Sequence, residues 1–268
     1  MKRYYYGKHA DQFGDLYRAE SSNTLPVLMV IHGGYWKDNH SLNSYATKAI
    51  VDHYSTDGNV AIWNLEYRRM EFEGLNKNAP WPAILKDVAD GLDFLRQIAE
   101  TENLDLSRIL VLGHSAGGHL SSWIASRANI PQHSELYSAE ALIPVRAVVL
   151  AGILDLSTYN FLSQPMQVER FIGGKKDEFP DRYATADPLR LRDKNIHLTI
   201  IHGIEDAVVP VAQARNFVDR NKGENIHYKE LSECDHFGML PLDDIVPKHW
   251  KTLIQVLDRE LRILSKNI

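Results

Sequence analysis

The feature that most constrains the fold of this chain is an alternation between short apolar runs and amphipathic segments. Strands are predicted over five runs rich in Val, Ile or Leu: Val27–Ile31, Val60–Leu65, Ile109–Leu112, Val145–Leu150 and Leu198–Ile201. Helices are predicted over Ser41–Tyr54, Pro82–Glu100, Ala116–Ala128, Val211–Asn221 and Pro247–Leu264. Strands that alternate with helices indicate an α/β protein, in which helices cover both faces of a mostly parallel sheet.

Composition limits the classes of protein that the chain can belong to. Its 268 residues, 44% of them apolar, suit a single domain. The net charge of −5 and the lack of a basic block argue against a nucleic-acid partner. We expect a small-molecule substrate as the partner, and the sequence leaves a homodimer open. Cys234 is the only cysteine, so an intramolecular disulfide is excluded. With no apolar stretch of signal-peptide or membrane-spanning length, we expect a cytoplasmic protein.

Ligands of open parallel sheets bind beyond the carboxyl ends of the strands, where this chain carries two glycine-rich motifs. One is "GHSAGGHL" (Gly113–Leu120), a G-x-S-x-G pattern centred on Ser115. Between a strand and a helix, this pattern places a serine in a sharp turn that favours small neighbours, Gly113 and Gly117. Ser115 is therefore the predicted nucleophile, and the alternative is that it only caps the following helix.

The second glycine-rich motif is "IHGGYWK" (Ile31–Lys37), which follows the predicted strand Val27–Ile31. Its adjacent glycines, Gly33 and Gly34, are compatible with a tight turn or with a loop whose backbone amides approach an anion. The motif alone leaves both interpretations open.

A reactive serine requires a neighbouring base, usually histidine near neutral pH. His236 lies in the segment Lys229–Leu240, ahead of the last predicted helix, and Asp206 follows a strand in Thr199–Pro210. The chain order of serine, acid and histidine occurs in known catalytic triads. We therefore predict that Asp206 orients His236, which activates Ser115.

Other acidic residues and histidines compete for these roles. Asp155 also follows a predicted strand and stays open as the acid, and Glu205 and Asp235 adjoin the chosen pair. His202 lies close to the end of its strand, and we expect it to pack beneath the Asp206 loop.

A cluster of histidines, His32, His114 and His119, lies near the two glycine motifs. Their spacing does not match that of common metal ligands, so we predict no metal site and expect these histidines to shape the loops through hydrogen bonds.

Taken together, the motifs "HGGYW", "GHSAGGH", "HGIEDAVVP" and "DHF" resemble those of the α/β-hydrolase superfamily. They are most similar to its arylformamidase branch and to the related small esterases, with Trp36 at the position of that branch's tryptophan. The resemblance implies an α/β-hydrolase fold over residues 1–268, no cofactor, and a triad of Ser115, Asp206 and His236. It also implies an oxyanion hole formed by Gly33, Gly34 and Ala116.

The resemblance implies a serine hydrolase of small acyl amides or esters. The first hypothesis is an arylformamidase that acts on N-formyl aromatic amines such as N-formylkynurenine, and the alternative is a carboxylesterase for short-chain or aromatic esters. Tyr35 and Trp36 are predicted to contact the substrate. A small lid is predicted over residues 156–188. Four of its side chains can either pack the lid onto the body, which we expect, or flank an aromatic group: Tyr159, Phe161, Met166 and Phe171.

Overall fold

The computed structural model describes residues 1–19, 23–223, 225–242 and 245–266, so parts of the predicted domain 1–268 lie outside the described residues. These ranges contain eight strands: β1 (Lys2–Tyr5), β2 (Phe13–Tyr17), β3 (Leu25–Ile31), β4 (Ala61–Leu65), β5 (Leu104–His114), β6 (Arg146–Leu150), β7 (His197–Gly203) and β8 (Ile226–Leu231). They form one sheet in the order β1-β2-β4-β3-β5-β6-β7-β8.

The sheet is parallel except at one edge. β2 pairs antiparallel with β1 and with β4, whereas each pair from β4 through β8 is parallel. The register places Ile31 opposite Gly113 and His114 opposite Leu150. The carboxyl ends of the central strands therefore lie side by side, and the loops that follow them meet at one edge of the sheet.

Helices cover both faces of this sheet. They are α1 (Lys48–Tyr54), α2 (Ala83–Asp93), α3 (Leu95–Ile98), α4 (Ala116–Ile124), α5 (Pro165–Ile172), α6 (Pro180–Ala186), α7 (Pro188–Leu191), α8 (Ala212–Arg220) and α9 (Trp250–Lys266). In β3, Met29 and Val30 face opposite ways, into two separate apolar clusters. One cluster includes residues of α2, α4 and α8, and the other includes residues of α1 and α9. This two-sided burial explains the continuous apolar runs of the strands. The predicted α/β-hydrolase fold is confirmed.

Three strands were not predicted, because they lack a continuous apolar run. β1 and β8 are edge strands with mostly exposed or half-buried residues. β2 contains Asp15, a charged residue that is nevertheless buried, because Arg3 of β1 donates to both of its carboxylate oxygens at 2.7 and 2.8 Å. Ion pairing thus replaces hydrophobicity at this position of the sheet.

The five predicted helices have different limits in the structure: Val211–Asn221 is reduced to α8, Pro247–Leu264 begins at Trp250, and the other three differ as follows. The helix predicted over Ser41–Tyr54 begins only at Lys48, and residues 41–47 form hydrogen-bonded turns. The helix predicted from Pro82 is interrupted at Phe94, and the one predicted over Ala116–Ala128 ends at Ile124. In the described ranges, no helix combines the length and hydrophobicity needed to cross a bilayer.

Candidate active site

The sharp turn between β5 and α4 carries Ser115. Its backbone has φ 58° and ψ −122°, a conformation that non-glycine residues rarely adopt. A Cβ at Gly113 would lie 2.0 Å from the carbonyl oxygen of Gly117, and a Cβ at Gly117 would lie 2.3 Å from that of Ile31. Only glycine fits at these two positions, which explains the small residues of the motif. Ser115 does not cap α4 with its side chain.

Asp206 and His236 meet at the same edge of the sheet, in the loops that follow β7 and β8. His236 Nδ1 lies 2.7 Å from Asp206 Oδ2, and both side chains are almost fully buried. Asp206 Oδ1 accepts the backbone amides of Val208 and Val209 at 2.9 and 2.8 Å. The carboxylate is therefore held from both sides, with one oxygen left for the imidazole.

The electrostatics of this pair favour an ionised acid. Burial alone would raise the pKa of Asp206, but hydrogen bonds from His202 and His236 and the charge of His236 outweigh it. The pKa of Asp206 is consequently well below its usual value. His202 is fully buried and its Nε2 lies 3.3 Å from Asp206 Oδ2, as expected from its predicted place beneath the loop.

Asp155 is not in contact with His236. Its carboxylate instead accepts the amide and hydroxyl of Ser157 at the start of the 3-10 helix Leu156–Phe161, and the amide of Asn216 at 2.6 Å. Asp155 therefore stabilises the loop after β6 and α8, and among the two candidate acids only Asp206 reaches the imidazole.

Ser115 and His236 line one cavity of about 350 Å³. Its wall also includes Gly34, Tyr35, Lys37, Asn39, His40, Tyr45, Phe72, Gln164, Val208 and Phe237. Of the predicted substrate contacts, Tyr35 lies on this wall, where its hydroxyl is 3.0 Å from Ser163 Oγ and 3.3 Å from the carbonyl oxygen of Val208. Eight of the twelve lining residues, among them Tyr45 and Phe72, were not predicted as site residues, because local patterns do not show which side chains face the cavity.

Trp36 does not line the cavity, contrary to the prediction. Its side chain is fully buried and stacks on Phe171, with ring centroids 4.4 Å apart, and it meets His119 edge-on. Such an indole has no surface for a substrate and anchors the loop to α5 and α4 instead.

For the four side chains of the segment 156–188, the structure separates packing from contact with the cavity. Phe171 is buried against Trp36, Tyr159 is buried and donates to Glu169, and Phe161 and Met166 are exposed away from the cavity. The segment contributes Gln164 to the cavity wall instead.

The loop that follows β3 has an unusual backbone, because Gly34, Tyr35 and Trp36 have φ values of 103°, 50° and 57°. A Cβ at Gly33 would lie 2.5 Å from both the carbonyl oxygen of His114 and the hydroxyl of Tyr45. The loop therefore lies directly against the turn that carries Ser115. Ala116 is the first residue of α4, so its amide has no acceptor within the helix. The amide lies at the N-terminal end of α4, next to Ser115.

The histidines near the motifs hold the loops together, as predicted. His32 Nδ1 donates to the carbonyl oxygen of Gly33, and its Nε2 lies 2.8 Å from Glu66 Oε1. His119 Nε2 donates to the carbonyl oxygen of Ala186. Within the part of the chain that the structure describes, no group of three His, Cys, Asp or Glu residues could hold a metal ion.

His114 connects the turn that carries Ser115 to two other loops, and its tautomer follows from its partners. Its Nε2 lies 2.7 Å from the carbonyl oxygen of His236, which can only accept, so Nε2 carries a proton. Burial and the charge of His236 lower the pKa of His114 well below its usual value, so the ring is neutral. Its Nδ1 must therefore accept, and the Tyr45 hydroxyl, 2.8 Å away, donates to it.

The fold and this arrangement define an α/β-hydrolase. More narrowly, the chain belongs to the BD-FAE family, whose model matches residues 15–220. Among curated relatives, it is 29% identical to the esterase LipC of Mycobacterium tuberculosis, over 88% of this chain and 59% of LipC. It is 23% identical to the kynurenine formamidase of Drosophila melanogaster, over 88% of this chain and 74% of that enzyme.

The chain spans only part of its curated bacterial relatives, namely 59% of LipC and 50% of the probable carboxylic ester hydrolase LipM from the same organism. Solved structures share the fold along nearly the whole chain. A carbohydrate esterase from gut microbiota superposes with a TM-score of 0.76 at 19% identity, covering 98% of this chain and 97% of that one. Thermogutta terrifontis esterase 2 gives a TM-score of 0.75 at 17% identity, covering 98% and 94%.

Proposed function

We propose that this protein is a serine hydrolase that cleaves small carboxylic esters. The observation that carries the proposal is the hydrogen bond between His236 and Asp206 beside a cavity that His236 shares with Ser115. In the proposed reaction, Ser115 Oγ attacks the ester carbonyl carbon while His236 Nε2 takes its proton. Asp206 keeps Nδ1 protonated and stabilises the imidazolium that forms.

The negative charge on the carbonyl oxygen would be held by backbone amides of Gly33, Gly34 and Ala116. Each such donor contributes about 3–4 kcal/mol to lowering the barrier in known hydrolases. His236 then gives its proton to the leaving alcohol. A water molecule repeats the attack on the acyl-serine, which releases the carboxylic acid and restores Ser115.

The choice of an ester substrate is supported by the relatives, since LipC, LipM and the structural neighbours are described as esterases. A short acyl group suits the cavity of about 350 Å³, where Tyr35 is fixed by Ser163 and Val208. The arylformamidase hypothesis has less support from the relatives. It remains the second candidate because the chain matches the Drosophila kynurenine formamidase over 74% of that enzyme's length.

Side-by-side turnover of p-nitrophenyl acetate and N-formylkynurenine separates the two candidates. We expect a higher kcat/KM for the acetate, and a clear preference for N-formylkynurenine would favour the formamidase hypothesis instead.

The nucleophile is tested separately, with a fluorophosphonate probe. We expect it to label wild-type protein and not the Ser115→Ala variant. Ser122, a buried serine of α4, offers a matched control, and Ser122→Ala should still be labelled. Labelling of Ser115→Ala would contradict the assignment.

A further inference from the structure

A second cavity, of about 650 Å³, lies beside the candidate active site. It is enclosed by the loop that precedes α2 and by α5 with the start of α6. We call it the side groove and define it by Leu75, Lys77, Trp81, Met166, Arg170 and Arg182. It is larger than the cavity that contains Ser115, so it has room for the part of a substrate that the small cavity cannot enclose.

The side groove adjoins the cavity of Ser115 through two shared chain segments. Phe72 and Gln164 line the Ser115 cavity, and Gly74 and Met166, two residues further along each segment, line the side groove. Two residues span at most about 7 Å. Lys37 lies at this junction, with its Nζ 3.2 Å from Gln164 Oε1 and 4.5 Å from the centre of the Phe72 ring.

The walls of the side groove are held in place without a ligand. Asn76 Nδ2 donates to the carbonyl oxygens of Ala79 at 2.7 Å and of Arg170 at 3.4 Å, which ties the loop to α5. Arg170 Nη2 returns a hydrogen bond of 2.7 Å to the carbonyl oxygen of Glu71. A preformed site binds a ligand without an additional cost of ordering its loops.

Cations outnumber carboxylates in the lining of the side groove, and the Glu135 carboxylate lies against it by accepting the indole N–H of Trp81. The lining includes Lys77, Arg170 and Arg182 but only one carboxylate, Glu169, which accepts a hydrogen bond from Tyr159. Among the described residues, no salt bridge joins Lys77 or Arg182 to an acidic side chain, whereas the charge of Arg170 interacts with that of Glu71, which also accepts the backbone amide of Lys77. The charges of Lys77 and Arg182 are therefore the ones available to an anionic ligand.

The two arginines have only part of their hydrogen-bonding capacity used by the protein. Arg182 Nη1 donates to the carbonyl oxygen of Ile172 at 3.1 Å, while its guanidinium lies over Phe179 and 5.7 Å from the centre of the Trp81 ring. An arginine held between aromatic rings presents its remaining N–H groups in a fixed direction, which suits a planar carboxylate.

We infer that the side groove binds a carboxylate carried by the alcohol part of the ester substrate. The inference rests on the proposed esterase activity. The acyl group would lie in the Ser115 cavity, and the alcohol part would pass Phe72 and Gln164 so that its carboxylate meets Lys77 and Arg182. After acyl transfer, the groove would hold the hydroxy acid that leaves.

The test uses two acetate esters that differ only in charge, 3-(4-acetoxyphenyl)propionate and its primary amide. The carboxylate is insulated from the phenol by two methylene groups, so the leaving groups have nearly equal reactivity. We expect the wild-type kcat/KM to be about tenfold higher for the carboxylate, the effect of one charge-assisted hydrogen bond. p-Nitrophenyl acetate reports esterase activity independently of the groove.

Substitutions then locate the source of this preference. Lys77→Gln and Arg182→Gln should each lower the carboxylate-to-amide ratio by at least about threefold. Lys176→Gln removes an exposed charge outside the groove lining and should leave the ratio unchanged. Because both kcat/KM values in a ratio are measured on the same variant, a partial loss of folded enzyme lowers both equally and leaves the ratio unchanged.

The outcomes distinguish the two proposals. The proposal that the side groove binds a carboxylate would be overturned by a wild-type carboxylate-to-amide ratio near one, or by a ratio that Lys77→Gln and Arg182→Gln leave unchanged. Turnover of p-nitrophenyl acetate would still support the esterase proposal in either case. No turnover of any of the three esters would overturn both.

Discussion

Replacing Asp206 with asparagine tests the proposed triad through the tautomer of His236. The backbone amides of Val208 and Val209 both donate to Asp206 Oδ1, so in the variant they require the amide oxygen at that position. The new NH₂ group must then face His236 Nδ1, 2.7 Å away, and donate to it. The imidazole would carry its proton on Nε2, where it cannot take one from Ser115.

This change leaves the packing of the loop intact while removing the base, so the loss should appear in kcat. We expect a decrease of about 10⁴-fold, the scale of the equivalent change in other serine hydrolases, or about 5 kcal/mol of barrier. The assay is p-nitrophenyl acetate turnover, normalised to folded protein by the thermal unfolding signal.

Asp155→Asn provides the matched control, because Asp155 contacts Ser157 and Asn216 but not His236. It should change kcat by less than about tenfold, even if stability falls. If Asp206→Asn keeps kcat within tenfold of wild type while Asp155→Asn abolishes turnover, the assignment of the acid is refuted.

Three further substitutions test the framework around the site. Gly117→Ala places a Cβ 2.3 Å from a backbone oxygen at the end of β3, so it should destabilise the fold by about 3 kcal/mol, read from the urea midpoint. Tyr45→Phe leaves the buried Nδ1 of His114 without its partner and should cost about 1–3 kcal/mol in the same assay, and an unchanged midpoint would contradict a stabilising role for this hydrogen bond. Burial, followed by the charge of Asp155, raises the pKa of Asp187 from 3.8 to about 7. Since the unfolded chain ionises first, stability should fall as the pH rises from about 4 to about 7, by on the order of 4 kcal/mol. Asp187→Asn keeps an oxygen for the cap of α7 and should abolish that fall, whereas an unchanged pH profile would contradict the raised pKa.

The interior of the sheet could be predicted because its strands are buried on both faces, which forces continuous apolar runs such as Val27–Ile31. The edge strands could not, since β1 and β8 expose much of their surface and β2 buries Asp15 by pairing it with Arg3. Which arginine pairs with a buried aspartate depends on how the strands lie in the sheet, and local sequence patterns do not show this.

The sequence by itself determined the class of fold and the candidates Ser115, Asp206 and His236, because Ser115 lies in a strand-to-helix motif with local steric requirements and the other two follow it in the chain order of known triads. Only the tertiary structure decided which acid reaches His236, and it separated Tyr35 on the cavity wall from Trp36 behind it. The cavity wall and the side groove are built from side chains far apart in the chain. Their contacts depend on how loops cross the sheet edge, which no local pattern specifies.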